Sequence, residues 1–249
     1  MKPLDQAEEL RGYYKDKGVA DAYMRKRTAQ PLNGFLHARQ VQFLNDAVGQ
    51  RGLGRVLEIA CGPGRLTAEV NGVSQGVAVD FSPSMLQVAR GRMNGHRDWS
   101  FLRTDAFVLP FRSGSFDAAY TLRFIRHFRL EDRRRLYAEI GRVLRPGGTF
   151  MLDALNREVS LPHRHKRGVE SYQIYDVLYD RNELEAELQE AGFRVVKIEG
   201  ILKRFEWQQP LNRLRHLRLG ALARLLIAAI ERLPGDNPET WMLLCEKNG

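Results

Sequence analysis

RVLEIACGPGR, the stretch Arg55–Arg65, runs a short apolar, β-branched segment straight into two glycines one residue apart. A short buried strand followed by a glycine turn suits a parallel sheet passing its chain to a crossover. The same texture recurs downstream. Gly76–Asp80 (GVAVD), Trp99–Arg103 (WSFLR), Phe116–Leu122 (FDAAYTL) and Thr149–Ala154 (TFMLDA) read as strands. Helical patterns lie between them at Ser84–Met93 and Leu130–Leu144, the second stopped by Arg145-Pro146-Gly147-Gly148. Asn182–Ala191 reads as a helix closed by Gly192, and Phe193–Ile198 and Thr240–Glu246 as two more strands. Strands alternating with helices need crossover connections, which predicts an α/β, doubly wound, mostly parallel sheet with helices on both faces.

The chemistry falls at the strand ends. Open α/β sheets bind ligands beyond the carboxyl ends of their strands. Gly62 and Gly64 lack Cβ atoms, so backbone can approach a ligand there. A dinucleotide loop needs a third glycine, and that position is Thr67, so the pyrophosphate fingerprint is incomplete. Asp80 ends the second strand, where a carboxylate can accept both hydroxyls of a ribose or, alternatively, open the helix after Ser82-Pro83. Asp105 follows the third strand and can accept from an adenine amine, while Phe81 and Met85 are placed against an adenine face or in the core. Three consecutive strands thus deliver suitable groups to one edge of the sheet.

VLEIACGPGRLT, VAVDFSPSML, TDAFVLPFRSGSFDAAY and VLRPGGTFMLD resemble the successive motifs of class I S-adenosylmethionine-dependent methyltransferases, closest in style to the small-molecule, quinone-biosynthesis branch. The resemblance covers Val56–Asp153 and, more loosely, Phe193–Lys247. It implies a Rossmann-like, seven-stranded sheet in which only the last inserted strand is antiparallel, and S-adenosylmethionine as cofactor, with S-adenosylhomocysteine as product. It also implies roles. Glu58 and the backbone of Ala60, Cys61, Gly62 and Gly64 would face the methionine part, with ordering of the glycine loop through its amides as the alternative for Glu58, and Asp80 would hold the ribose. Asp105 and the Ala106 backbone would bind adenine, and Thr121 would lie beside the sulfonium. Tyr23 and Arg27, four residues apart on one helical face, would close over the methionine end.

The flanks individualise the chain. It is read as a single domain over 1–249, with a helical cap over 1–50, the cofactor core over 55–155, and substrate-side insertions over 156–180 and 203–238. Leu4–Val48 looks helical, with a break around Pro31–Gly34. Leu211–Leu233 repeats leucines at helical spacing, with Arg213, Arg215, Arg218, Arg224 and Arg232 opposite. Such a helix serves as a lid over the site, as a peripheral membrane-surface helix, or as a dimer element. Thirty-nine basic against thirty acidic residues give a net charge of +9, which favours anionic partners. A basic run at 164–167 and arginines at 123, 126, 129 and 133–135 point to an anionic group on the acceptor or, for several of the arginines, to the solvated face of the Leu130–Leu144 helix. Nucleic acid is the less favoured partner, and the oligomeric state is open. Cys61 and Cys245 have no metal or disulfide spacing, no acidic triad suggests a metal, and no signal or spanning segment is evident, so the expected location is the cytoplasm.

Methyl transfer is an in-line displacement in which orientation does much of the work. A base is needed only where the nucleophile must lose a proton, and His127 in RFIRHF is the candidate, with a packing role as its alternative. The expected reaction is transfer to O, N or C of a small, partly apolar acceptor. A non-catalytic cofactor-binding regulator, or a methyltransferase of RNA or protein, remains open on sequence alone.

Overall fold

A computed structural model describes residues 30–93, 98–168, 175–235 and 237–249. Helix α1 (Pro31–Arg51) precedes β1 (Arg55–Ile59), β2 (Gln75–Asp80), α2 (Pro83–Arg92), β3 (Trp99–Arg103) and β4 (Phe116–Thr121). After a single turn at Ile125–His127 come α3 (Leu130–Val143), β5 (Leu144–Asn156), α4 (Arg157–Arg167), β6 (Leu178–Tyr179), α5 (Arg181–Glu190) and β7 (Phe193–Ile201). The chain ends with α6 (Phe205–Gln208), a tighter helical stretch at Gln209–Leu217, α7 (Gly220–Glu231) and β8 (Thr240–Lys247).

The main sheet runs β3-β2-β1-β4-β5-β8-β7, with β6 paired to the end of β5. Only β8 runs antiparallel to its neighbours. The strands alternate their burial between two cores. Val56, Ala118 and Met151 pack with α1 through Leu36 and Leu44. Leu57, Ala119 and Phe150 pack with α3 and α5 through Leu136 and Leu184. This is the doubly wound arrangement that the strand–helix alternation predicts.

Several elements differ from the sequence reading; β7, for one, continues three residues past the expected Ile198. Strand β5 starts at Leu144 rather than Thr149, because Arg145–Gly148 bulges out opposite Asp117 instead of ending the strand pair. Arg145 anchors that bulge on Asp117 at 2.7 Å. The two-residue β6 adds an eighth strand, too short to show any periodicity. Pro31 opens a helix instead of breaking one, as its fixed φ suits a first helical position, and Gly34 lies inside α1. Leu211–Leu233 is not one helix, since Arg218 adopts a left-handed backbone (φ 59°) between the tight stretch and α7.

Candidate functional site

The carboxyl ends of β1, β2 and β4 and the residues just beyond β3 meet at a cleft lined by apolar and polar groups. Residue Ala60, at the end of β1, holds φ 56° and turns the chain into the glycine loop. Gly62 follows with φ 55°, and a Cβ there would project into open space. The loop is tied to the second strand by a carboxylate, for Asp80 Oδ2 accepts the Gly62 amide and Oδ1 the Ser82 amide, both at 2.8 Å. Burial pushes the Asp80 carboxyl up, and those amides, with that of Phe81, pull it back. Ser82 also caps α2, its hydroxyl accepting the Met85 amide. Beyond β3, Asp105 Oδ1 accepts the Phe107 amide at 3.1 Å, which fixes the turn on which Asp105 and Ala106 line the cleft. Phe81, Met85, Leu122 and Phe124 supply apolar wall.

Of the residues singled out by sequence, Ala60, Gly62, Asp80, Phe81, Met85, Asp105, Ala106 and His127 line this cleft. Four others stand behind it. Glu58 is buried, accepting from the Tyr120 hydroxyl at 2.8 Å and from the Thr67 hydroxyl, so it braces the loop from below. Burial lifts its carboxyl to about 7, although both hydroxyls favour the charged form. The Thr121 hydroxyl donates to the Ile59 carbonyl at 2.8 Å, tying β4 to β1. Cys61 is a buried free thiol pushed up by burial. Gly64 (φ 69°) lets the loop touch α2, since a Cβ would sit 3.0 Å from that of Ala89. Tyr23 and Arg27 lie outside the described residues.

Sequence reasoning missed a second, larger cavity of about 640 Å³ next to the first. Arg123 belongs to the walls of both. Its backbone is left-handed (φ 63°), and its amide donates to Asp153 at 2.5 Å, which holds this unfavourable conformation in place. The wall is strongly basic, with Arg126, Arg164, Lys166, Arg213 and Arg215 against Asp176 and Glu239. It draws on the start of α1, the segment beyond β4, both insertions and the start of β8, far apart in the chain, so no local pattern announces it. Arg213 and Arg215 come from the tight stretch of the second insertion, which thereby lines the cavity with its polar side.

His127 stands between the two cavities. The Tyr175 carbonyl accepts from its Nδ1 at 3.0 Å, and Asp176 Oδ1 lies 2.8 Å from the same nitrogen. The Tyr175 carbonyl can only accept, so the proton sits on Nδ1 and Nε2 is left as the basic nitrogen. Asp176 also meets Arg126 at 3.1 Å and Arg164 at 2.7 Å. Burial works against its charge, but His127 and both arginines hold the carboxyl well below the usual carboxylate range. By contrast, Arg133 is buried away from both cavities, donating to Glu187 and to the Phe128 carbonyl. Arg134 and Arg135 pair with surface carboxylates.

A family model described as a methyltransferase domain matches residues 56–148. An O-methyltransferase of Penicillium expansum is 27% identical over 221 residues, covering 87% of this chain and 78% of that relative. A demethylmenaquinone methyltransferase of Clavibacter sepedonicus is 39% identical over 99 residues, 39% of this chain and 40% of its own length. Among solved structures, the magnesium protoporphyrin IX methyltransferase of Synechocystis PCC 6803, with bound SAH, superposes with a TM-score of 0.68. That match spans 97% of this chain and 100% of the other at 13% identity, which is a likeness of fold.

Proposed function

The chain belongs to the class I S-adenosylmethionine-dependent methyltransferases, and from that premise we propose that it methylates a small acceptor carrying an anionic group. The observation that supports this most is the pairing of a nucleoside-type cleft with a basic cavity across one shared residue, Arg123. The cleft suits the cofactor: Gly62 opens onto free space, Asp80 and Asp105 offer carboxylates, and Phe81 and Met85 offer apolar surface. When bound, S-adenosylmethionine supplies an electrophilic methyl group on a sulfonium.

Asp80 would accept the ribose hydroxyls with the lone pairs its two amide bonds leave over, and Asp105 would accept the adenine amine. Arg123, Arg126 and Arg164 set a positive field in the second cavity, which favours an acceptor bearing carboxylate or phosphate and orients it for in-line attack. Nε2 of His127 would take the proton where the nucleophile is a hydroxyl or amine, with Asp176 stabilising the imidazolium.

Calorimetric titration with S-adenosylmethionine and S-adenosylhomocysteine tests the cofactor half. Saturable binding, weakened by at least tenfold in Asp80→Ala and in Asp105→Ala, is the expected result, and absence of binding to either ligand sinks the reading. For the proton step, His127→Asn is expected to lower kcat by about 10²–10⁴-fold with cofactor affinity retained. An unchanged kcat would leave His127 as packing.

A further inference from the structure

The outer side of the second insertion is built in an unusual way for a face in water. Along α7, Ala223 and Ile227 turn inward, Ile227 joining Leu32, Leu36, Leu202 and Phe205. The helix is pinned in that orientation by Glu231, which accepts the Leu202 and Lys203 amides and the Gln208 side chain. Helical spacing then places Leu222, Leu225, Leu226, Ala229 and Leu233 along one arc on the opposite side. All five are exposed, Leu225 by 69%. Leu217 and Leu219, at the break before α7, extend the patch, Leu217 being 67% exposed. A contiguous apolar stripe of this kind marks a binding surface.

The charge around the stripe selects its occupant. Between residues 203 and 233 lie seven basic side chains, Lys203, Arg204, Arg213, Arg215, Arg218, Arg224 and Arg232, and only two acidic ones. One of those two, Glu231, is spent on the amides described above. Arg213, Arg215, Arg218 and Arg232 are exposed and flank the leucines in sequence. Docking against a second copy of this face would bring two strongly basic insertions together. An anionic lipid surface neutralises them instead, while the leucines enter the acyl boundary. No helix among the described residues is long and apolar enough to cross a membrane, so the contact is with one leaflet only.

We propose that α7 and the turn before it form a monotopic docking site for an anionic bilayer. The second cavity takes Arg213, Arg215 and His216 in its wall from the residues immediately preceding that turn. Docking therefore holds the basic cavity beside the headgroups, where an amphipathic acceptor concentrates. This docking rests on the insertion's outer face and is independent of the reaction proposed above.

The test is co-sedimentation of the full chain with vesicles of equimolar phosphatidylglycerol and phosphatidylcholine, against vesicles of phosphatidylcholine alone. Binding to the anionic vesicles should exceed binding to the neutral ones by at least tenfold. The variant Leu222→Ser/Leu225→Ser/Leu226→Ser should lose at least tenfold in partitioning with its circular dichroism unchanged, since all three side chains are exposed. Failure to bind the anionic vesicles overturns the proposal, as does binding that the triple variant leaves intact. Sedimentation velocity supplies the remaining arm. A wild-type dimer that becomes monomeric in the triple variant, without vesicle binding, assigns the face to a second copy and also overturns it.

Discussion

At the scale of single residues, Glu58 shows how position converts an ordinary side chain into a pH-dependent one. Its carboxyl has an ordinary value of 4.5 and sits at about 7 in the fold because it is wholly buried. Between those values the folded chain holds a proton that the unfolded chain has lost. Stability is thus highest below the lower value, falls as pH rises to about 7, and changes no further above it. Glu58→Gln, which keeps an acceptor for Thr67 and Tyr120, is expected to flatten that fall by up to roughly 3 kcal/mol. Urea unfolding of both proteins from pH 4.5 to 8 measures it, and parallel curves would contradict it. Sequence alone marks Glu58 as noteworthy and leaves it two roles, facing the ligand or ordering the glycine loop through backbone amides; the structure has it bracing the loop through side-chain hydroxyls. The difference lies in Thr67 and Tyr120, one on the loop and one on another strand, which no reading of RVLEIA brings to it.

At the scale of elements, α3 and α5 are locked by a polar knot and not by packing alone. Arg133 of α3 donates to Glu187 of α5, and the hydroxyls of Tyr137 and Tyr179 reach the same carboxylate at 2.9 and 2.8 Å. Removing Arg133 would leave a partly buried carboxylate without its counter-charge, so Arg133→Ala is expected to cost about 3 kcal/mol in unfolding free energy. Glu187→Gln on that background should recover part of the loss, because the remaining acceptor is then neutral, and an additive result in the double-mutant cycle would refute the pairing. The elements themselves were largely legible: β3 is bounded as its own sequence suggests, and α2, α3 and α5 fall within one residue of their expected ends. The failures share a cause. Arg145–Gly148 carries every sign of a turn, yet the Asp117 carboxylate across the sheet holds it as a bulge within β5. The leucines at 211–233 have the spacing of a stripe, but spacing does not say which side of it meets protein. Here Ile227 faces the core and Leu225 the outside.

At the scale of the whole molecule, the cleft proposed for the cofactor joins parts that are otherwise separate. The glycine loop follows β1, Asp80 ends β2, and Asp105 and Ala106 lie beyond β3. A ligand bound only to that assembled cleft stabilises the fold by mass action, about 2.7 kcal/mol at a hundred times its Kd. For a chain of this size that corresponds to a rise of about 5–10 °C in Tm. S-adenosylhomocysteine is expected to produce this shift in wild type, and Asp80→Ala to abolish most of it, as read by scanning calorimetry. This cleft was legible because its residues sit at strand ends in chain order. The basic cavity was not, because Arg126, Arg164 and Arg213 meet only after two insertions fold back over the sheet edge.

Among the described residues Arg123, just beyond β4, is the one shared by the walls of both compartments, and Asp153 keeps its backbone in a conformation it would otherwise leave. Occupants of the two sides would then be thermodynamically linked through it. Whatever factor one ligand adds to the affinity of the other must be returned unchanged in the opposite direction. That reciprocity binds affinities alone, so the order in which the two ligands arrive is left to their rates.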